Sequence, residues 1–279
     1  MMPKNIVFVL FAFFIAGPVA ARNKMIKVAC MGNSVTYGYL LKNPVVDAYP
    51  ARLQQMLGAQ HEVKNFGHSG ATLLRHGHNP YYQSKEFDEA IDWKPDIAVI
   101  ELGLNDTDPR DWNNYSNEFR GDYAWLLDTL RKSNPGITIF ICLMPPIFND
   151  HPRFRSGTFD WYWKIQGLLS GIASVNHTKL IDLHAAIYDR PDLFSDAIHP
   201  NEEGAEILAK TVYSAITGDY GGLFLSDVFA NDMVLQRDQP IPVFGSANAQ
   251  EEVMVTFNHQ VKKTRATADG KWKVNFTAL

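Results

Sequence analysis

The stretch that decides the fold is Ile26-Lys27-Val28-Ala29-Cys30, a short apolar run followed after one residue by Gly32-Asn33-Ser34-Val35-Thr36. A short apolar run bounded by turn residues is typical of a buried strand. A strand that ends at a glycine and leads into a helix is expected to present Ser34 at the tip of a tight turn, with its hydroxyl exposed. Ser34 is therefore a candidate nucleophile.

The same pattern recurs along the chain. Short apolar runs alternate with segments in which apolar residues have helical spacing, and this alternation is typical of a parallel sheet with helices on both faces. One predicted helix has Tyr123, Leu126 and Leu130 on one side and ends at Ser133-Asn134-Pro135-Gly136. The predicted strands are residues 26–30, 62–66, 96–101, 137–142 and 179–182, and the predicted helices are residues 49–57, 115–132, 161–174 and 202–216.

Three further polar segments accompany the Ser34 turn. They are Asn65-Phe66-Gly67-His68-Ser69-Gly70, Gly103-Leu104-Asn105-Asp106 and Asp196-Ala197-Ile198-His199-Pro200. The first two follow the ends of predicted strands and the third precedes the last predicted helix, where a doubly wound sheet binds its ligands. Together they offer a hydroxyl, a histidine with a carboxylate three residues upstream, and donors for an oxyanion, which acyl transfer requires.

With these four segments in this order, residues 24–217 resemble the SGNH, or GDSL-type, hydrolase family, named for its Ser, Gly, Asn and His. The resemblance implies a three-layer α/β/α, flavodoxin-like domain with a five-stranded parallel sheet in the order 2-1-3-4-5. It implies a catalytic triad of Ser34, His199 and Asp196. It also assigns the oxyanion hole to the backbone N–H groups of Ser34 and Gly70 and to the side-chain amide of Asn105. No cofactor and no metal is implied.

Several details of these segments stay open. Taken singly, each segment is also ordinary turn or helix-cap chemistry, and only the ordered set indicates a site. Gly67 competes with Gly70 for the role of oxyanion donor. Asn33 stands where many family members carry Asp, and we expect it to alter hydrogen bonding in the loop more than the chemistry. Asp106 is expected to brace its loop, and His68 either shapes the pocket or faces solvent.

Two other clusters have alternative interpretations. Arg75-His76-Gly77-His78 offers metal-ligating side chains, but no carboxylate or third histidine stands at a recognisable ligand spacing, so a solvated loop near the pocket is favoured. Phe159-Asp160-Trp161-Tyr162-Trp163 offers a sugar-stacking face, although aromatic residues at the start of a helix more often serve packing.

The two cysteines are predicted to stay reduced and mostly buried. Cys30 closes the first predicted strand and Cys142 lies in the fourth. In the strand order implied by the resemblance, the third strand separates them, which puts them about 10 Å apart, beyond the roughly 7 Å that a disulfide can bridge.

The N-terminal residues have the features of a secretory signal peptide. Lys4 precedes an apolar run over residues 6–16, and the small residues Pro18-Val19-Ala20-Ala21 suit cleavage. The alternative is a membrane anchor, but the run is shorter than the roughly 20 residues that span a bilayer. We therefore expect an exported protein, periplasmic or secreted, whose mature form starts near Arg22 and has no stable membrane span.

After residue 222 the pattern becomes all β. Apolar alternation over residues 253–257, 261–268 and 271–276 surrounds an Asp269-Gly270 turn. The opening of this part, residues 223–237, resembles the start of the β domain of sialate O-acetylesterases. The predicted organisation is a signal peptide over residues 1–21, a hydrolase domain over residues 22–218 and a partial β-sandwich over residues 223–279. We expect this β unit to be incomplete or a fragment of a longer protein, with an unpaired edge.

Composition narrows the function further. The 279 residues, 46% of them hydrophobic, suffice for one large α/β domain and a smaller unit. The 26 basic and 30 acidic residues are well mixed, so no polybasic surface for nucleic acid is expected. The resemblance to SGNH hydrolases, the resemblance of residues 223–237 to sialate O-acetylesterases and the expected export together imply an exported serine esterase. It would remove acetyl groups from carbohydrate hydroxyls through an acyl-enzyme. The alternatives are a lipase, lysophospholipase or thioesterase on the same scaffold, or an inactive carbohydrate-binding protein. The sugar and the oligomeric state are left open.

Overall fold

A computed structural model describes residues 24–148, 158–229 and 233–278. The predicted signal peptide lies outside these residues. Within the described ranges, no helix combines the length and the apolar character needed to cross a bilayer.

The central element is a five-stranded, all-parallel sheet in the order β2-β1-β3-β4-β5. This confirms the predicted fold class and strand order. The central strands are apolar along their length because helices cover both faces, so neither face needs polar side chains. The strands are β1 (Ile26–Gly32), β2 (His61–Gly67), β3 (Ile97–Glu101), β4 (Thr138–Leu143) and β5 (Lys179–Asp182).

Nine helices are described around this sheet in the ranges given above. They are α1 (Ser34–Tyr37), α2 (Pro44–Asp47), α3 (Tyr49–Leu57), α4 (Lys85–Trp93), α5 (Trp112–Tyr115), α6 (Phe119–Ser133), α7 (Phe159–Val175), α8 (Leu183–Ile187) and α9 (Glu202–Thr217). The predicted helices corresponding to α3, α7 and α9 are confirmed to within two residues at each end. The predicted helix over residues 115–132 begins too early, because a 3-10 turn (Ser116–Glu118) separates α5 from α6.

Two groups of helices hold the sheet between them. Helices α4, α6 and α7 form one group, and α3 packs against α9 in the other. Leu41, Ala48 and Ala205 form a small buried cluster that includes the start of α9. Arg52 of α3 adds polar contacts in the same region, at 2.6 Å from Asp47 and 4.0 Å from Glu206 of α9. The position of α9 relative to the first third of the chain is set by this packing.

Both cysteines are buried and unpaired. Cys30 lies in β1 and Cys142 in β4, and β3 runs between these two strands. Burial raises the pKa of the Cys30 thiol to about 12. The prediction of two reduced, buried thiols is confirmed.

In the described residues of the C-terminal part, all strand pairing is antiparallel. Strands β10, β7 and β6 form one small sheet, and β8 and β9 form a hairpin. In β10, Trp272, Val274 and Phe276 are buried while the residues between them are exposed, as expected for a strand with one covered face. Strand β7 was not predicted, and β9 ends three residues earlier than predicted. The strands are β6 (Phe224–Leu225), β7 (Ile241–Ser246), β8 (Glu252–Phe257), β9 (Gln260–Arg265) and β10 (Lys271–Phe276).

Candidate active site

The register of the sheet brings the polar segments together. Gly32 at the end of β1 is paired with Gly67 of β2 on one side and with Glu101 of β3 on the other. The three segments that follow these strands therefore leave the sheet at the same level, which is the edge where ligands bind in doubly wound folds.

Ser34, His199 and Asp196 form a continuous hydrogen-bonded chain. His199 Nε2 lies 2.9 Å from Ser34 Oγ, although 165 positions separate the two residues in the sequence. His199 Nδ1 lies 2.7 Å from Asp196 Oδ2. The His199 side chain is 12% exposed, so water has limited access to the imidazole. The structure thus brings together the three residues predicted as a triad.

The turn that carries Asp196 and His199 is held by backbone hydrogen bonds, both within the turn and to Phe148. Asp196 Oδ1 accepts the N–H groups of Ile198 at 3.2 Å and His199 at 2.8 Å. Ala197 adopts a left-handed conformation with φ +66°, and its carbonyl accepts the N–H of Phe148 at 2.9 Å. These contacts fix the carboxylate and the imidazole relative to each other.

The environment of Asp196 favours its ionised form. Partial burial raises the pKa of this carboxyl, but the hydrogen bonds from His199 and Ile198 outweigh burial and bring the pKa below its ordinary value. An ionised Asp196 can only accept a hydrogen bond, so Nδ1 of His199 carries the proton and we assign Nε2 as the acceptor for the Ser34 hydroxyl.

The nucleophile turn is shaped by its neighbours. Ser34 is the first residue of α1, and Asn33 caps this helix by accepting the Val35 N–H at 2.9 Å. A Cβ atom at Gly32 would collide with Thr36 and with the Glu101 carbonyl, so only glycine fits there. The turn into a helix was predicted, but the exposed hydroxyl was not correct: Ser34 is 5% exposed because His199 lies against it.

The structure distinguishes the two glycines that compete for the oxyanion role. The N–H of Gly67 donates to Asn65 Oδ1 at 2.9 Å, and a Cβ atom at Gly67 would collide with the backbone at Tyr37. Gly67 therefore allows β2 to approach α1 closely. Gly70 lies beyond the strand, in a left-handed conformation with φ +81° that favours glycine. This geometry favours Gly70 as the donor.

Asn105 links the segment after β3 to the loop that follows Gly70. Its Nδ2 atom donates to the Ala71 carbonyl at 3.0 Å, and the side chain is buried. The neighbouring Asp106 is fully buried and accepts the N–H groups of Leu73 at 2.9 Å and Leu74 at 2.7 Å. Burial raises the pKa of Asp106 to about 7 even though these N–H groups lower it. Asp106 thus braces the loop, as predicted.

The loop after Gly70 has carboxylate partners that were not predicted. His78 Nδ1 lies 2.6 Å from Asp111 Oδ2, and the backbone N–H of His78 donates to Asp111 Oδ1 at 2.8 Å. Asp108 lies beside this pair, with ligand atoms of all three residues within 4.8 Å, but its oxygens accept from Arg110 at 2.9 Å. Sequence spacing did not indicate this pair, because Asp111 stands 33 positions after His78. Because N–H donors already occupy these oxygens, the group anchors the loop rather than presenting open metal ligands.

The structure shows the surroundings of His68 and of the aromatic segment over residues 159–163, whose roles the sequence left open. His68 Nδ1 lies 2.9 Å from Glu86 Oε2 of α4, so His68 pairs with that helix. Tyr162 is buried and its hydroxyl is hydrogen-bonded to His184 Nδ1 at 2.8 Å, so this ring belongs to the interior and not to a sugar-binding face. Phe159 and Trp163 are partly exposed, so the aromatic segment is only partly used for packing.

The part of the chain that matches a known family contains all four polar segments of the site. Residues 30–207 match the model of the GDSL-like Lipase/Acylhydrolase family. The chain belongs to this family. An acetylxylan esterase from Xylanibacter ruminicola is 34% identical to this GDSL-like chain over 215 residues. The match covers 71% of this chain and 44% of that protein. The chain thus spans less than half the length of this relative.

Solved structures support the fold of this GDSL-like chain. Est24, a carbohydrate acetylesterase from Sinorhizobium meliloti, has a TM-score of 0.58 at 18% identity, covering 69% of this chain and 98% of Est24. An aryl esterase from M. smegmatis has a TM-score of 0.57 at 20% identity, covering 69% of this chain and 98% of its own. At these identities the likeness concerns the fold alone.

Proposed function

We propose that this protein is a serine esterase that removes acetyl groups from carbohydrate hydroxyls through an acyl-enzyme intermediate. The observation that carries the proposal is the hydrogen-bonded chain from Ser34 Oγ through His199 to Asp196, with distances of 2.9 and 2.7 Å. Such a chain is how a serine hydroxyl is activated near neutral pH.

In the first half of the reaction, Ser34 Oγ attacks the ester carbonyl while its proton passes to His199 Nε2. Asp196 stabilises the imidazolium that forms. The negative carbonyl oxygen is received by the backbone N–H groups of Ser34 and Gly70 and by the amide of Asn105, which are held before the substrate arrives. Collapse of this intermediate transfers the proton from His199 to the sugar oxygen, which leaves as an alcohol.

The second half repeats these steps with water. His199 Nε2 takes a proton from water as the water oxygen attacks the acetyl-Ser34 carbonyl, and the same donors receive the oxyanion. Ser34 then leaves with the proton from His199, and acetate is released. No step requires a cofactor.

The substrate class rests on two similarities. The relative from Xylanibacter ruminicola is an acetylxylan esterase, which favours acetylated xylan as the first substrate to test. The resemblance of residues 223–237 to sialate O-acetylesterases stays a prediction, as do the proposed domain limits and export through residues 1–21.

The test is acetate release by the purified protein. Acetylated xylan, pectin, chitooligosaccharide and sialic acid are compared with nitrophenyl esters of increasing acyl length, and Ser34→Ala serves as the control. The proposal expects acetate from at least one acetylated sugar and a preference for short acyl chains. Efficient cleavage of long-chain esters without acetate release from any sugar would favour a lipase instead. Full hydrolysis by Ser34→Ala would refute the mechanism.

A further inference from the structure

A buried carboxyl lies directly behind the nucleophile turn. Glu101, the last residue of β3, is fully buried. Its Oε1 atom accepts from Asn33 Nδ2 at 2.9 Å, and its Oε2 atom lies 3.3 Å from Thr36 Oγ1. Glu101 plays no part in the reaction steps given above, and no sequence motif predicted a role for it.

Among the residues that the structure describes, the surroundings of Glu101 supply hydrogen bonds but no positive charge. Its side-chain partners within the described residues are an amide and a hydroxyl. Over the described ranges, the titratable groups that interact with it electrostatically are three tyrosines and a cysteine. They are neutral near pH 7, and burial raises the pKa of each one further. The four groups are Tyr49 of α3, Tyr123 of α6, Tyr162 of α7 and Cys142 of β4. An ionised carboxylate without a cation is costly in such a place.

Both partners of Glu101 flank the nucleophile. Asn33 precedes Ser34 and holds the Val35 N–H through Oδ1, while its Nδ2 reaches Glu101. Thr36 follows Ser34 on the same turn of helix and also lies 3.3 Å from the Tyr49 hydroxyl. The carboxyl group therefore ties the two ends of the Ser34 turn to the end of β3.

We propose that Glu101 is a positioning residue for Ser34: as a neutral carboxylic acid it accepts a hydrogen bond from Asn33 with one oxygen, is hydrogen-bonded to Thr36 Oγ1 through the other, and thereby holds Ser34 against His199. This role rests on the proposed esterase function, because it acts on that nucleophile. It also gives a reason for Asn33: an amide complements a neutral acid, whereas Asp at this position would add a second carboxyl in the same buried space.

The direction of titration agrees with this geometry. Burial raises the pKa of Glu101 to about 8, although hydrogen bonds from Asn33 and Thr36 lower it. Above that pH the carboxyl group ionises in a buried space without a cation. Thr36 Oγ1 can still donate to it, but the buried charge is costly and weakens the packing of the turn. The uncharged form of Glu101, which is present below about pH 8, is therefore the form that holds the turn.

The first experiment compares Glu101→Gln with the wild type on nitrophenyl acetate and by the rate of Ser34 labelling with a fluorophosphonate. Glutamine keeps the shape, accepts from Asn33 through its oxygen and donates to Thr36 through its NH₂ group. We expect kcat at about pH 6.5 within about twofold of the wild type. The wild type is expected to lose kcat reversibly above about pH 8, and Glu101→Gln to keep its kcat about one pH unit further. Exposed Glu89→Gln on α4 is the matched control, with an unchanged profile.

Two results would overturn the proposal while the wild type is active. One is a Glu101→Gln enzyme that loses about tenfold or more in kcat at about pH 6.5 with an unchanged melting temperature, since an ionised carboxylate would then be required. The other is an alkaline profile identical in the wild type and the variant. An inactive wild type would instead count against the proposed esterase function.

A second pair of variants tests the pairing of Asn33 with Glu101 and keeps a polar side chain of similar size at both positions. Asn33→Asp places a second carboxyl against Glu101 and is expected to lower kcat about tenfold or more, with KM within about twofold. Adding Glu101→Gln restores one acid and one amide, with the roles exchanged, and is expected to recover about fivefold or more of that loss. Additive losses in the double variant would contradict a coupled pair.

Discussion

The ring of Tyr39 lies 4.8 Å from the imidazole of His199, centroid to centroid, with the two planes inclined by 58°. Tyr39 follows the nucleophile helix directly after Gly38, whose φ of +89° turns the chain back over the site. The tyrosine is 45% exposed, so part of its surface contacts the catalytic base and part is open to a bound molecule. In the proposed reaction, this arrangement suits a contact between Tyr39 and a sugar that leaves with the proton of His199.

Replacing Tyr39 by alanine is expected to raise KM for acetylated xylooligosaccharides about 3- to 10-fold, because an aromatic contact contributes about 0.5–1.5 kcal/mol. KM for nitrophenyl acetate is expected to change much less, since that substrate has no sugar ring. Tyr39→Phe keeps the ring and serves as the control. Equal changes for both substrates would assign Tyr39 to the support of His199 alone.

Asn105→Ala is expected to lower kcat by about 10²–10³, because it removes one oxyanion donor. It also removes the hydrogen bond to the Ala71 carbonyl, so we expect a loss of about 1 kcal/mol in the free energy of unfolding. Steady-state kinetics and denaturant unfolding measure the two effects. Asn114→Ala is the matched control, because its Nδ2 also donates to a backbone carbonyl, that of Arg110 at 2.7 Å, but in an exposed position. A loss of less than about tenfold in kcat would remove Asn105 from the oxyanion hole.

Asp196→Asn is expected to reduce kcat by about 10²–10⁴, since the amide cannot stabilise the imidazolium and can favour the wrong tautomer of His199. Labelling of Ser34 by a fluorophosphonate should slow in parallel. Asp192→Asn, which changes an exposed aspartate paired with Arg190, is the control and should stay within about twofold of the wild type. A fully active Asp196→Asn enzyme would show that another group orients the histidine.

The buried Asp106 makes stability depend on pH in a defined direction. Because burial raises its pKa from 3.8 to about 7, the folded protein keeps the proton over a range where the unfolded chain has lost it. The contribution of this group to stability is therefore full below about pH 4 and is lost as pH rises through about 7. Urea unfolding at several pH values between about 4 and 7 measures how steeply the free energy of unfolding falls with pH.

Asp106→Asn is expected to flatten this slope and to lower stability overall. An amide offers one acceptor where the carboxyl accepts two N–H groups, from Leu73 and Leu74, and an unsatisfied buried N–H costs about 1–3 kcal/mol. The exposed Asp92→Asn on α4 provides the control, with the slope of the wild type. An unchanged slope in Asp106→Asn would mean that another group carries the pH dependence.

Gly67→Ala is expected to lower both activity and stability, because the added methyl group collides with the backbone at Tyr37 and pushes α1 away from β2. We expect a loss of about 1–3 kcal/mol in unfolding free energy, and a fall in kcat because Ser34 lies on the displaced helix. Gly121→Ala on α6 is the control, since its Cβ would meet no atom within 4 Å and alanine favours helix. Thermal unfolding with parallel assays separates the two variants.

The parallel sheet could be predicted because its central strands β1, β3 and β4 are short, mostly apolar runs that fit no amphipathic helix. The elements that were missed lack such a signal. Helix α4 buries only Phe87 and Ala90, whereas the confirmed helix α3, also nine residues long, buries four, so the apolar spacing of α4 is too sparse to recognise. Strand β7 contains Pro242, which weakens a strand pattern. The early part of the predicted helix over residues 115–132 is interrupted by a polar turn that helical spacing does not reveal.

The site was predictable where adjacent residues spell a motif, and less so where the contact is made only in three dimensions. Ser34 and His199 are found through the short segments that contain them. Asp111 contacts His78 across 33 positions, so no spacing rule indicated the pair. Glu101 did leave a signal, since a charged residue at the end of an otherwise apolar buried strand requires a partner.

The packing of α3 against α9 has a consequence for inactivation. His199 lies two residues ahead of Asn201, the cap of α9, whereas Ser34 belongs to the segment that leads into α3. A small separation of these two helices would disengage the base from the hydroxyl while every strand pairing in the sheet survives. Turnover would then disappear during warming before the circular dichroism signal changes, and the enzyme would recover on cooling without having to refold.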